Sequence, residues 1–105
     1  MYQLKHIATA MTLAAGLLSA PGIQADQALA QSKGCLACHQ VDNKVVGPAF
    51  KDVAAKYKGD SGAPAMLAAK VKAGGVGTWG QIPMPPNPTV SDEDANTLVV
   101  WVLSL

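Results

Sequence analysis

The sequence has no arginine, one phenylalanine and two cysteines among 105 residues, and only 14% of its residues are charged. Without arginine the chain has none of the guanidinium groups that bind phosphates and base edges through two hydrogen bonds. The formal net charge of +1 gives no electrostatic basis for binding nucleic acid. Half of the residues are hydrophobic, which excludes a disordered polyelectrolyte. This length is enough for one domain and not for two.

Residues 1–25 have the pattern of a secretory signal peptide. Lys5 and the amino terminus form a short positive region, an uncharged apolar run of about 12 residues follows, and mostly small residues lead to Ala25. That run is shorter than the roughly 20 residues needed to span a bilayer. We therefore predict export, cleavage after Ala25 and a mature domain of residues 26–105 without a stable membrane anchor. Cleavage after Ala20 and a retained anchoring helix are the alternatives.

A mature domain of 80 residues is small. A domain of this size buries only about 60 to 65% of its unfolded surface and is often marginally stable without further support. We therefore expect a disulfide, a metal or a cofactor to stabilise it.

Both cysteines lie in the string GCLACH, residues 34–39. A disulfide between Cys35 and Cys38 would close a tiny loop and restrain little of the unfolded chain. A thioredoxin-like redox pair needs a βαβ context, and no strand pattern is found here. A zinc site needs four ligands, and this motif offers three. A c-type haem attachment uses every residue, because both thiols bind the haem and His39 binds its iron. We predict one covalently bound haem c, with the disulfide, the redox pair and zinc as alternatives.

The iron then needs a sixth ligand, and cleavage of the signal peptide would leave His39 as the single histidine. Met66 lies in a predicted helix, where packing explains it. Met84 lies between Pro83 and Pro85, in a stretch that cannot be helical and whose prolines remove the donors that a strand needs. Such a stiff loop lowers the entropic cost of holding a thioether against a metal. We predict Met84 as the ligand; an open axial site would instead indicate a haem enzyme or a gas-binding protein.

Apolar periodicity predicts an all-α fold of four short helices. The first consists of residues 27–34 and the haem turn, the second of FKDVAAKYK and the third of residues 64–73, and the last begins after its N-cap Ser91. An irregular ligand loop is expected over residues 75–90. The expected core residues are Leu29, Phe50, Val53, Ala54, Tyr57, Leu67, Val71, Leu98, Trp101, Val102 and Leu105.

From about residue 26 to its end, the chain resembles the small bacterial class I cytochromes c of the c-551/c-552 type. The strings that carry this resemblance are GCLACHQ, VVGPAFKDVAAKY, GTWGQIPMPPN and SDEDANTLVVWVLSL, which lie across essentially the whole mature chain. The resemblance implies the class I cytochrome c fold, in which the N- and C-terminal helices cross and one haem is bound. It also implies that His39 and Met84 are the axial ligands.

The same resemblance implies roles for four further residues. The Pro48 carbonyl would accept the Nδ1 proton of His39, the Trp79 indole would donate to a haem propionate, and Lys70 would lie near a propionate. Asn87 would form a hydrogen bond near the methionine sulfur, although the loop is one residue longer at Pro88-Thr89 than in some family members. The alternatives are a helix-start residue for Pro48, core packing for Trp79, a solvated lysine for Lys70 and a turn residue for Asn87.

The function that follows from this resemblance is one-electron transport in the periplasm. With both axial positions filled, the iron has no site for a substrate, so we expect a carrier and not an enzyme. The expected partners are a membrane cytochrome complex as donor and a nitrite reductase or terminal oxidase as acceptor, each met transiently by a monomer. The lysines at 33, 44, 51, 56, 58, 70 and 72 either guide this docking or form an ordinary solvated face.

Overall fold

A computed structural model describes residues 22–105, and residues 1–21, which include most of the predicted signal peptide, lie outside it. This part of the chain contains four helices and a small, mostly exposed two-stranded sheet, and the predicted all-α architecture is confirmed. No helix of the described part is long and apolar enough to cross a membrane. The elements are α1 (Gly22–Ser32), a single 3-10 turn (Cys35–Ala37), α2 (Phe50–Lys56), α3 (Ala63–Ala73), β1 (Gly75–Gly77), β2 (Gly80–Met84) and α4 (Asp92–Leu103).

The sheet corrects the prediction that residues 75–90 form an irregular loop. β1 and β2 are antiparallel, with Gly75 opposite Met84 and Gly77 opposite Gly80, and the register shifts between these two pairs. Gly77 and Gly80 have φ angles of 106° and 116°, which glycine adopts far more readily than other residues. Pro83 is tolerated in β2 because a strand with a single partner needs donors on one edge only. The prediction that the prolines beside Met84 exclude a strand was therefore wrong.

The start of α4 agrees with its predicted cap. The Ser91 hydroxyl accepts a hydrogen bond from the backbone N–H of Asp94 at 3.0 Å. Three acidic residues follow in the first turn, Asp92, Glu93 and Asp94, where the helix dipole stabilises negative charge. Two of them also form ion pairs with the ends of other helices, Asp94 with Lys33 at 3.6 Å and Asp92 with Lys72.

The core lies where α1, α2 and α3 pack against α4. Its buried cluster consists of Ala30, Phe50, Val90, Ala95, Leu98 and Trp101. Ala30 and Ala95 are fully buried, and their small side chains suit a close approach of α1 to α4. Leu29, the predicted contact of the first helix, is only partly buried beside this cluster.

The cap of α4 can be tested by Ser91→Ala in the haem-loaded protein. Loss of the side-chain acceptor should lower the free energy of unfolding by about 1 kcal/mol. For a domain of this size the expected decrease in Tm is about 4 to 8 °C. Ser61→Ala, at an exposed position between helices, is the matched control and should leave Tm nearly unchanged. Equal Tm values for the two variants would show that the cap contributes nothing.

Candidate functional site

A cavity of about 500 Å³ lies between the helices and the hairpin. Its wall is mostly apolar, with side chains from α1, α2, α3, α4 and both strands. All of the predicted site residues except Asn87 line it, namely Cys35, Cys38, His39, Pro48, Lys70, Trp79 and Met84. Residues from widely separated parts of the sequence therefore meet around one space of a size typical for cofactors.

The two cysteines stand on a single tight turn. Gly34, with φ of 78°, starts the turn, and the backbone N–H groups of Cys38 and His39 both donate to the Cys35 carbonyl, at 3.2 and 3.0 Å. No disulfide joins the two cysteines, so the predicted alternative of a disulfide is not seen. Burial raises the pKa of the Cys35 thiol above its ordinary value.

The His39 ring is held by the Pro48 carbonyl oxygen, which lies 2.8 Å from Nδ1. A carbonyl oxygen only accepts hydrogen bonds, so Nδ1 must carry the proton. The lone pair is then on Nε2, which is the nitrogen available to a metal. The connecting loop is closed by two backbone hydrogen bonds, from Gly47 to the Cys38 carbonyl at 2.7 Å and from Phe50 to the Gln40 carbonyl at 2.8 Å.

Gly47 leaves the space that the His39 ring occupies. A Cβ atom on Gly47 would lie 2.5 Å from Cε1, 2.9 Å from Nδ1 and 3.0 Å from Nε2 of that ring. No side chain fits there unless the imidazole moves. This role of Gly47 could not be predicted from the sequence, because a contact between residues eight positions apart leaves no local pattern.

Met84 is the last residue of β2 and is partly buried. Its backbone passes directly over the end of α3, where a Cβ atom on Gly74 would lie 2.5 Å from the Met84 carbonyl oxygen and 2.8 Å from the nitrogen of Pro86. Gly74 also has a φ angle of 73°, so both its conformation and its surroundings favour glycine. Met66 differs, because 43% of it is exposed on α3 and it does not line the cavity.

Asn87 anchors the segment that follows Met84. Its side-chain Nδ2 donates to the carbonyls of Val71 and Pro85 at 3.0 and 3.3 Å. Its backbone N–H is shared between the carbonyls of Val71 and Lys72 at 3.2 and 3.1 Å. Asn87 therefore satisfies carbonyl groups at the end of α3 that no helical N–H can reach. Its expected hydrogen bond near the methionine sulfur stays a prediction.

Trp79 lies in the turn between the strands and is 41% exposed. The Lys56 ammonium is 5.6 Å from the centroid of its ring and 5.8 Å from that of Tyr57, within the range of cation–π attraction. On the other side of this turn, the Lys70 ammonium donates to the Thr78 hydroxyl at 3.0 Å. Two lysines from two helices thus hold the tip of the hairpin. The contact of Lys56 with the Trp79 ring was not predicted from the sequence.

The donor set fits a c-type haem. It comprises two thiols on one turn, an imidazole whose Nε2 is free to bind and a thioether, all on an apolar cavity. Within residues 22–105 no three His, Cys, Asp or Glu side chains come together as the ligands of a metal ion would. The zinc alternative therefore has no support in this part of the chain.

Comparison with known proteins identifies the family. The family model for cytochrome c matches residues 23–105, and the chain belongs to this family. It is 56% identical to cytochrome c-551 of Allochromatium vinosum over 92% of this chain and 97% of that protein. It is 53% identical to cytochrome c-551 of Pseudomonas aeruginosa over 96% of this chain and 98% of that protein.

Solved structures agree with this assignment. The crystal structure of Nitrosomonas europaea cytochrome c552 superposes with a TM-score of 0.74 and 57% identity, covering 75% of this chain and 98% of that one. The class I cytochrome c fold and one covalent c-type haem are therefore confirmed. The chain is a c-type haem electron carrier that acts with redox partners.

The contact between Gly47 and His39 predicts a severe effect of Gly47→Ala. The added methyl group must displace the imidazole, which should cost about 1 to 3 kcal/mol as overpacking and disturb the hydrogen bond to Pro48. Guanidinium unfolding of the haem-loaded variant measures this loss. Gly62→Ala is the control, because its nearest neighbour, Asp60, is 3.4 Å away. A Gly47→Ala variant as stable as the control would contradict the prediction.

The cation–π contact predicts that Lys56→Met loosens the hairpin tip. We expect a loss of about 0.5 to 1 kcal/mol in stability and a shift of the Trp79 indole N–H signal in NMR spectra. Lys58→Met removes a nearby exposed lysine that makes no such contact within the described residues and should leave that signal in place. Identical Trp79 signals in both variants would mean that the ammonium does not hold the ring.

Proposed function

We propose that this chain is an exported one-electron carrier in which Cys35 and Cys38 bind haem covalently and His39 and Met84 are the axial ligands. The observation that carries the proposal is the cavity that all four side chains line together. His39 and Met84 are 45 residues apart in the sequence, so their meeting at one cavity is a property of the fold.

The histidine half of the site is oriented by contacts within the chain. The Pro48 carbonyl fixes the tautomer with its lone pair on Nε2, and it makes the imidazole a more basic ligand. Gly47 leaves room for the ring in this position. These contacts fix the direction from which Nε2 would bind the iron.

The methionine half of the site sets the preference for oxidation state. When bound, haem supplies the exchange of one electron between ferrous and ferric iron. A thioether is a soft and neutral ligand, which favours the ferrous form, and an apolar wall disfavours the extra ferric charge. With Met84 and His39 as ligands, no position remains for a substrate. The protein would therefore be a carrier with a positive potential and not an enzyme.

Polar groups at the cavity suit the haem propionates. Lys70 and the Trp79 indole both line the cavity, and each is placed by neighbours from the hairpin and α2. We propose that they bind the propionates. We also propose that Asn87, anchored to the end of α3, stabilises the position of the segment that follows Met84.

The cellular setting completes the proposal. We propose that the signal peptide is removed after Ala25 and that the mature domain, residues 26–105, works in the periplasm as a monomer. Its donor would be a membrane cytochrome complex and its acceptor a nitrite reductase or a terminal oxidase. Transient redox interfaces of this kind often bury less than about 1,200 Å² in total, so few of the surface lysines would be in contact at once.

The ligand assignment is tested by Met84→Ala, with Met66→Ala as the control methionine. The wild-type protein should show a low-spin ferrous spectrum, a weak long-wavelength sulfur-to-ferric-iron band and no response to carbon monoxide. Met84→Ala should lose that band and bind carbon monoxide, whereas Met66→Ala should match the wild type. A high-spin wild-type protein that binds carbon monoxide would overturn the carrier and favour the haem enzyme or gas-binding protein.

A further inference from the structure

Three aromatic rings form a continuous contact from the site to the last helix. The rings of His39 and Phe50 are stacked, with centroids 5.0 Å apart and planes 20° apart. Phe50 meets Trp101 edge to face, with centroids 5.5 Å apart and planes at 73°. Both arrangements are among those that aromatic quadrupoles favour.

The hydrogen bond to Pro48 leaves one motion of the His39 ring free. It restrains Nδ1, but combined changes in the two side-chain torsions of His39 can still tilt the ring about the line between its two nitrogens with little change in that bond. Such a turn keeps Nε2 in place and rotates the imidazole plane. A flat neighbour stacked on the face of the ring opposes this rotation, and Phe50 is that neighbour.

Phe50 is itself held firmly. It is the first residue of α2, is only 6% exposed, and its backbone N–H donates to the Gln40 carbonyl at 2.8 Å. Trp101, 3% exposed on α4, packs edge to face against it. The phenyl ring is therefore a fixed surface and does not follow the imidazole if that ring turns.

We propose that Phe50 is a positioning residue that sets the plane of the His39 imidazole, and that Trp101 transmits the position of α4 to it. This inference rests on the proposed binding of iron by His39. Neighbours of a metal ligand orient it and thereby tune the metal. Rotation of the imidazole plane changes the splitting of the iron d orbitals, so it alters the g values of the ferric protein and the spread of its haem methyl NMR shifts.

The test compares Phe50→Leu, Phe50→Tyr and Val90→Ala in the haem-loaded protein by EPR and NMR of the ferric form. Phe50→Leu should shift the g values and the haem methyl resonances, whereas Phe50→Tyr keeps a flat ring and should restore the wild-type pattern. Val90→Ala is the control, since Val90 is buried in the same core cluster as Phe50 but does not line the cavity. It should lower Tm and leave the g values unchanged.

Two outcomes would overturn the inference: wild-type g values in Phe50→Leu, or an equal shift in Val90→Ala, which would indicate general loss of packing. If Phe50→Leu does not take up haem, Phe50→Met has a side chain of similar length without a flat face and undergoes the same comparison. Failure of the proposed function looks different, because the wild-type protein itself would then lack the low-spin spectrum and the sulfur-to-iron band.

Discussion

The hydrogen bond between His39 Nδ1 and the Pro48 carbonyl, 2.8 Å long, is the contact on which the site depends. It decides which ring nitrogen has the lone pair. It also requires the chain to fold back, so that the Pro48 carbonyl reaches a ring nine residues earlier in the sequence. That return is possible because Gly47 has no side chain to collide with the ring. It also places Phe50 beside the imidazole at the start of α2, so the same turn supplies the ligand, its proton acceptor and its stacking partner.

The end of α3 has a matching role for the methionine. Gly74 lets the Met84 carbonyl approach closely, and Asn87 bonds to the carbonyls of Val71 and Lys72. The Lys72 side chain in turn pairs with Asp92 at the start of α4. Exposed ion pairs contribute little to stability, at most about 1 kcal/mol. The close packing at Gly74 and the hydrogen bonds of Asn87 therefore hold the Met84 segment against α3, and the ion pair contributes little to this attachment.

Features with a local cause could be predicted from the sequence. The haem motif, the helix beginning after Ser91, and the core positions Phe50, Leu98 and Trp101 all follow from spacing within a turn or two. The hairpin was missed because its glycines and Pro83 suggest a loop, and only pairing with the neighbouring strand shows otherwise. The contacts of Gly47, Gly74 and Lys56 could not be predicted either. Each depends on an atom brought close by the fold, and a single sequence contains no record of such neighbours.

The two ligands differ in how far the chain must fold to place them. The direct contacts of His39, from the Cys35 turn to Pro48 and Phe50, lie within about a dozen residues of it, so they form with a small loss of chain entropy. Met84 is 45 residues from His39 and is supported only after α3 and the hairpin are in place. Contacts of such long sequence separation slow folding, because the entropy of loop closure is lost before they form. The histidine is thus positioned mainly by contacts that are local in sequence, whereas the position of the methionine depends on contacts that close a long loop.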